Sequence, residues 1–362
     1  MTRRRQLLQA GALGTAATFT TSLYAQTRPT VRWRMAALYP RSLDTCYGAT
    51  EQMCKRVGEL TDGKFSITLH PPGDLVPPLQ VLDAVSAGTV EAGQVSGSFY
   101  FGKNPALVFE SGLPFGMNAR QQNAWLYKGG GLKEVQKVFA QFGCHSVPCG
   151  NFGTQMGGWF RKEIKSLKDL EGLKMRIGGF GGQVISRLGV VPQMIPGGDL
   201  YAALKKGVID AAEFVGPYDD EKLGLARVSQ YYYSPGWWEG GSAQVSAVAN
   251  KKAWDALPKD YQTAYEAAAF EANMRQLALY DAKNPDAIKR ILASGVKLRW
   301  FPKDVLDAAY DMAQTMLKEI SAKDAFFKSI YQHYRGFLEK QSSWYRVADH
   351  FLDNYSLARR AR

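Results

Sequence analysis

The sequence predicts an α/β fold built from two similar units, and three observations carry that reading. Strand-like alternation and helix-like periodicity follow one another twice along the chain, once before Cys149 and once after it. The 362 residues exceed the roughly 250–300 at which single cores stop growing. A nearly continuous helical pattern from Lys251 to about Leu292 is long enough to span both units.

In the first unit, "TVRWRMA" sets Val31, Trp33 and Met35 against arginines, as a half-buried strand does. A helix is expected over Asp44 to Leu60, stopped by the Asp62-Gly63 turn. "KFSITLH" alternates again as a strand, "PPLQVLDAVSAG" reads as a helix between a proline start and Gly88, and "VEAGQVSG" is a third, shorter strand. The second unit repeats this order. Leu173, Met175 and Ile177 share one face of a strand over 173–177, with Lys174 and Arg176 on the other. "GGQVISRLG" is a helix, "VVPQMI" a strand, "GDLYAALKKG" a helix and "VIDAAEF" a strand. This order predicts parallel sheets covered by helices. After the long helix comes an amphipathic, ring-rich stretch, "IYQHYRGFLEKQSSWYRVADHFLDNYS".

The N-terminal "TRRRQLLQAGALGTAATFTTSLYAQ" has three arginines, then small and apolar residues with no acid among them. It reads as a twin-arginine export signal over 1–25, cleaved after Ala25, although Leu23 departs from the small residue preferred there. The run is too short and too polar for a membrane span. The formal charge of +12 falls to +9 once the three arginines leave with the signal. The remaining excess is spread out, with no basic stripe interleaved with rings, which argues against nucleic acid and suits a small anion. Four cysteines make no disulfide framework. Cys46 and Cys54 on one helix stand ~12 Å apart along its axis, beyond the ~7 Å that a bridge spans. Cys144 and Cys149 could bridge or stay as buried thiols.

Ligands of open parallel sheets bind at the carboxyl edges of the strands. Arg176 falls near the end of one strand, and Glu213 and Phe214 end another. Arg176 offers a planar fork matched to a carboxylate; equally, it fits a pair with Glu213 or Asp169 that pins loops. Glu213 could cap the next turn, and Gln155 in "NFGTQMGGWF" could be a solvent-facing linker amide. "GGFGGQ" lacks the lysine and spacing of a phosphate loop. The four histidines have no metal-ligand spacing, so zinc chemistry and a serine–histidine triad lack support. The rings of "YYYSPGWWEGG" fit core packing better than a sugar platform.

"GTQMGGWFRKEIKSLKDLEGLKMRIGGFGGQVISRLG", followed by "GGDLYAALKKGVIDAAEFVGPYDDEKLGL" and "YYYSPGWWEGG", resembles the substrate-binding proteins of TRAP transporters over essentially the whole mature chain. The resemblance implies a two-domain periplasmic binding protein fold, with a ligand cleft between the domains and the long helix spanning both. It divides the chain into 27–153 plus 241–283, 154–240 plus 284–335, and a C-terminal helix over 336–362. It implies that Arg176 fixes a substrate carboxylate. The narrower match of "EFVGPYDDEKLGL" with "YYYSPGWWEGG" looks like the branch that binds 2-oxo acids such as pyruvate, or lactate, with a metal ion. By that resemblance Gln155, Glu213, Glu239 and the Phe214 carbonyl ligate the ion, and Gln155, Arg176, Phe214 and Glu239 contact the substrate. The family commonly has tryptophan where Phe214 stands, which a main-chain ligand tolerates.

Two acids, an amide and a carbonyl are hard oxygen donors that suit sodium or calcium. With Arg176 and a monocarboxylate, calcium brings the site to neutrality and sodium leaves one negative charge, and the choice stays open. The rings are expected to wall the crevice, and Arg176 with the metal to keep both acids ionised. The function implied is delivery of a small 2-oxo or 2-hydroxy monocarboxylate to a membrane permease, without catalysis. The alternative is a hydrolase using Glu213 and Glu239 as an acid/base pair on a sugar. A purely structural module is disfavoured by the converging polar groups. The ring-rich tail from about Ile330 to Leu357 carries more apolar surface than a capping helix needs, so a homodimer is expected.

Overall fold

The computed structural model describes residues 28–360. The expected twin-arginine signal over 1–25 lies outside the described residues.

Two separate sheets carry the fold. The first has the order β2-β1-β3-β10-β4, formed by Val31–Ala36 (β1), Phe65–His70 (β2), Ala92–Val95 (β3), Cys144–Asn151 (β4) and Gln244–Asn250 (β10). The second has the order β11-β9-β5-β8-β6-β7, formed by Gly158–Phe160 (β5), Lys174–Arg176 (β6), Val191–Gln193 (β7), Ala211–Ala212 (β8), Tyr231–Ser234 (β9) and Lys297–Trp300 (β11). Val31 and Arg176 thus belong to different sheets.

Helices cover the sheets in the expected alternation. Cys46–Leu60 (α1) and Val81–Ser86 (α2) follow the first two strands. Val108–Ser111 (α3), Ala119–Tyr127 (α4) and Gly131–Ala140 (α5) lead into β4. Gly179–Ser186 (α6), Leu200–Lys205 (α7) and Pro217–Lys222 (α8) belong to the second sheet. Lys251–Asp255 (α9), Lys259–Ala293 (α10), Lys303–Lys323 (α11), Ala325–Val347 (α12) and Asp349–Arg360 (α13) complete the chain.

The sheets are mixed, not wholly parallel. β1 pairs in parallel with β2 and β3, and β6 with β7 and β8, as expected. β10 runs antiparallel to β3 and β4, and β5 antiparallel to β8 and β9. β5, β10 and β11 are the strands reached after each crossing between the sheets; β5 and β10 run against their neighbours, whereas β11 joins β9 in parallel. The single long helix is also divided. Pro258 has no N–H to donate and takes an extended ψ of 148°, ending α9 and capping α10. Pro285 sits inside α10 without stopping it.

α10 ties the halves together. Its Tyr261 and Tyr265 pack on Phe65 and Trp33 of the first sheet, with ring centroids 5.7 and 5.8 Å apart. Further along, Asn284 Oδ1 accepts the Tyr218 N–H at 3.0 Å, and Arg290 pairs with Glu221, both on α8. Rings of this size each bury ~150–250 Å², enough to dominate the local energetics. All four cysteines are free and buried. Cys144 and Cys149 lie on the same extended strand, ~16 Å apart at the rise of a strand, which rules out a bridge.

Candidate functional site

β6 ends at Arg176, and that side chain is almost wholly buried (3% exposed) although alternation places it opposite Met175. The rings of Phe99 and Phe214 each stand 5.7 Å from its guanidinium, and the Ile195 carbonyl accepts from Nε at 3.1 Å. Nη1 donates to Glu213 Oε2 at 2.9 Å and to the Glu213 carbonyl. Nη2 donates to no described residue, and Arg176 faces a cavity of about 30 Å³. The loop-pinning pair with Glu213 therefore exists, yet it occupies only one edge of the fork. Asp169 is engaged elsewhere, accepting from the Lys165 and Ser166 amides.

β8 is shorter than the pattern suggested, so Glu213 and Phe214 lie just beyond it. Their segment is held on both sides. The Glu213 N–H donates to the Arg176 carbonyl at 2.9 Å, the Met156 N–H to the Val215 carbonyl at 2.9 Å, and the Val215 N–H to Asp220 Oδ1 at 3.3 Å. No described residue donates to the Phe214 carbonyl. Asp220 is itself clamped by Trp159 Nε1 at 2.8 Å and the Tyr232 hydroxyl at 2.7 Å, and burial pushes its carboxyl up to about 7.

Gln155 and Glu239 come from two of the three chain segments that cross between the sheets. A bridge between Gln155 and Gly236 joins them, with the Gly236 N–H donating to the Gln155 carbonyl at 3.0 Å. Gly112 lies beneath the Glu239 turn at φ +121°, where a Cβ would stand 2.6 Å from the Glu239 carbonyl. The near end of the Gln155 amide is 3.2 Å from Glu213 Oε1 and 3.2 Å from Glu239 Oε2. As nitrogen it donates to both acids; as oxygen it completes three converging oxygens of the kind that a hard cation requires. Together with the unpaired Phe214 carbonyl, this donor set fits sodium or calcium.

The acids differ from expectation in one respect. Burial pushes Glu239 up to about 7 and Glu213 well above its usual range; Arg176 pulls both down only in part. A cation would supply the missing charge, so two ionised carboxylates are a property of the loaded site.

All five residues singled out from the sequence thus meet at one cavity: Gln155, Arg176, Glu213, Phe214 and Glu239. The rings of "YYYSPGWWEGG" do not wall it. Tyr232 and Tyr233 turn into the core of the second sheet, and Trp237 and Trp238 pack on Phe115 and Phe301. The walls come instead from Tyr39, Phe99, Phe152 and Phe214, beside Ser96 and Ser98. Of these, Tyr39 follows the carboxyl end of β1, Ser96, Ser98 and Phe99 that of β3, and Phe152 that of β4. The strand-end rule that singled out Glu213 finds them too when applied to the first unit.

A small polar cavity between two α/β halves, lined by an arginine with a free donor, suits the capture of a small anionic solute. A model for "Bacterial extracellular solute-binding protein, family 7" matches residues 37–324. The chain belongs to this family of periplasmic receptors of TRAP transporters, which bind solutes for transport and are not enzymes. It is 49% identical, over 98% of its length and 99% of the relative's, to the monocarboxylate 2-oxoacid-binding periplasmic protein of Nostoc sp.. Among solved structures, a TRAP transporter solute binding protein of Bordetella bronchiseptica is 56% identical, with a TM-score of 0.91 over 92% of this chain and 99% of that one. It is described as a mixed-occupancy dimer with calcium and picolinate in one site. A TRAP periplasmic solute binding protein of Pseudoalteromonas atlantica, 35% identical with a TM-score of 0.84 over 90% and 99% of the two chains, holds sodium and pyruvate. The hydrolase alternative has no support among these relatives.

Proposed function

We propose that this receptor binds a small 2-oxo or 2-hydroxy monocarboxylate of the pyruvate and lactate class together with a sodium or calcium ion. Arg176 takes the carboxylate through its free edge. Gln155, Glu213, Glu239 and the Phe214 carbonyl hold the ion, and Gln155, Phe214 and Glu239 also touch the ligand. The observation that carries this reading is the Gln155 amide, 3.2 Å from both acids and beside an arginine with an unused donor edge. Relatives that hold 2-oxo acids or pyruvate support the ligand class. The cleft-forming domains are 27–153 plus 241–283 and 154–240 plus 284–335, with 336–362 as an added helical arm. The ligand is handed to a TRAP permease, after export through the twin-arginine signal. The exposed apolar side chains Phe351, Leu352, Tyr355 and Leu357 of α13 support a homodimer built through this arm.

The test is calorimetric titration of pyruvate into protein stripped with chelator in sodium-free buffer, then with each ion restored. Ion and ligand should tighten one another by the same factor, a coupling of ~1–3 kcal/mol. Equal affinity in every condition would reduce Glu213 and Glu239 to ordinary hinge carboxylates.

A further inference from the structure

All five site residues come from the second sheet or from the segments that cross between the sheets, and none comes from the loops after β1 and β3. A ligand held only by such groups has nothing to gain from closure, because it makes the same contacts with the cleft open. Some group of the first domain must therefore meet the ligand.

Tyr39 stands where that group is needed. It follows β1 and is only 6% exposed. Its place is fixed twice over. The Leu38 and Tyr39 amides donate to Gln94 Oε1 at 3.1 and 3.3 Å, and the Gln94 amide is in turn held by the Cys46 carbonyl at 2.8 Å and Thr50 Oγ1 at 2.6 Å. The Tyr39 ring meets Phe152 edge-on at 5.6 Å. Its hydroxyl makes no hydrogen bond to any described residue, and the side chain lines the same cavity as Arg176 and Glu239. Beside it, the Ser96 and Ser98 hydroxyls bond one another at 3.2 Å. The cavity offers that hydroxyl only solvent as a partner, which an arriving ligand oxygen would replace.

We infer that the Tyr39 hydroxyl donates to an oxygen of the bound carboxylate and so makes closure of the cleft depend on the ligand. The inference rests on the proposed ligand class. Burial pushes the Tyr39 hydroxyl well above its usual range, so it stays a neutral donor facing an anion. Arg176 and the ion select the carboxylate from one side; Tyr39 reports its arrival to the other.

Pyruvate is titrated calorimetrically into the full chain holding calcium, and its dissociation is followed by stopped-flow tryptophan fluorescence. Tyr39→Phe keeps the ring and its packing on Phe152. It should weaken pyruvate binding roughly 10- to 100-fold, mostly through faster dissociation, the loss expected for a hydrogen bond to a charged partner. Calcium binding without pyruvate should be unchanged. Tyr47→Phe, which removes a hydroxyl bonded to the Leu69 carbonyl at 3.2 Å outside the cavity, should match the wild type. Pyruvate affinity in Tyr39→Phe within about twofold of wild type overturns the inference alone. An equal loss of calcium binding overturns it too, by placing Tyr39 in the ion site. Wild-type protein that binds no pyruvate with either ion overturns the proposed function, and the inference falls with it.

Discussion

Arg176 Nη1 lies 2.9 Å from Glu213 Oε2, with the two side chains only 3% and 8% exposed. A pair this deeply buried adds little stability of its own, but removing one partner strands the other charge out of water. The same guanidinium thus orients an ion-site acid with one edge and presents the other edge to a ligand.

Arg176→Ala should lower pyruvate affinity by ~2–5 kcal/mol, the range for breaking a desolvated charge pair. Arg176→Lys should also weaken it substantially, because a point charge replaces a fork that satisfies Ile195, Glu213 and the ligand together. Calorimetry on both variants checks this, and unchanged affinity in Arg176→Ala would remove the clamp.

The ion should compete with protons. Burial holds Glu239 at about 7 against an ordinary 4.5, so the ion-free folded protein binds a proton more tightly than the unfolded chain does. Its contribution to stability is full below about 4.5 and is lost as the pH rises through about 7. A cation needs the carboxylate, so its binding strengthens over the same window. The rise in melting temperature on adding calcium should be small at about pH 5 and full by about pH 8. Glu239→Gln should abolish most of the rise at either pH. A calcium effect independent of pH would place the ion elsewhere.

Closure should be blocked by a single methyl group at Gly179. This residue begins α6 at φ +65°, and a Cβ there would stand 2.8 Å from the Ser98 Cβ across the cleft. Nearby, Phe101 stacks on Phe180 with centroids 5.4 Å apart. Gly179→Ala should lose ~1–2 kcal/mol of stability to backbone strain, and pyruvate binding should weaken beyond that. Small-angle scattering at saturating pyruvate should show a wider molecule than the wild type. An identical scattering curve with wild-type affinity would show that Ser98 yields at no cost.

The helical arm should hold two copies together. Light scattering should give a dimer mass for the whole chain and a monomer mass for a chain ending at residue 335. Phe351→Asp with Leu352→Asp, both more than 60% exposed in α13, should have the same effect without touching the cleft. One mass for all three would withdraw the dimer.

Much of the fold was legible because period and punctuation agree. β1, α1 and β2 fall within two residues of the spans expected from alternation and from the Asp62-Gly63 stop. Strand direction was not legible, since alternation is the same for either direction; β10 and β5 show their antiparallel pairing only once the crossings are seen. α11 was not legible beside the ring-rich stretch that follows it, although Val305, Ala309, Ala313, Met316 and Leu317 recur at helical spacing. At the site, Gln155 and Glu239 were reached through the family resemblance, whereas Arg176 and Glu213 were visible because charges at strand ends are costly to bury without purpose. Tyr39 was not, because a tyrosine in a loop looks the same whether its hydroxyl meets the core, solvent or a ligand.

The position of β10 also constrains how the molecule can be made. In the first sheet it lies between β3 and β4, yet ribosomes produce it only after every strand of the second sheet except β11. Until then β3 and β4 have no strand between them, and their unpaired edges face each other across the gap. The second sheet in turn waits for β11, which follows α10. Neither half can therefore be completed early and set aside while the other emerges, and the two must consolidate late and together.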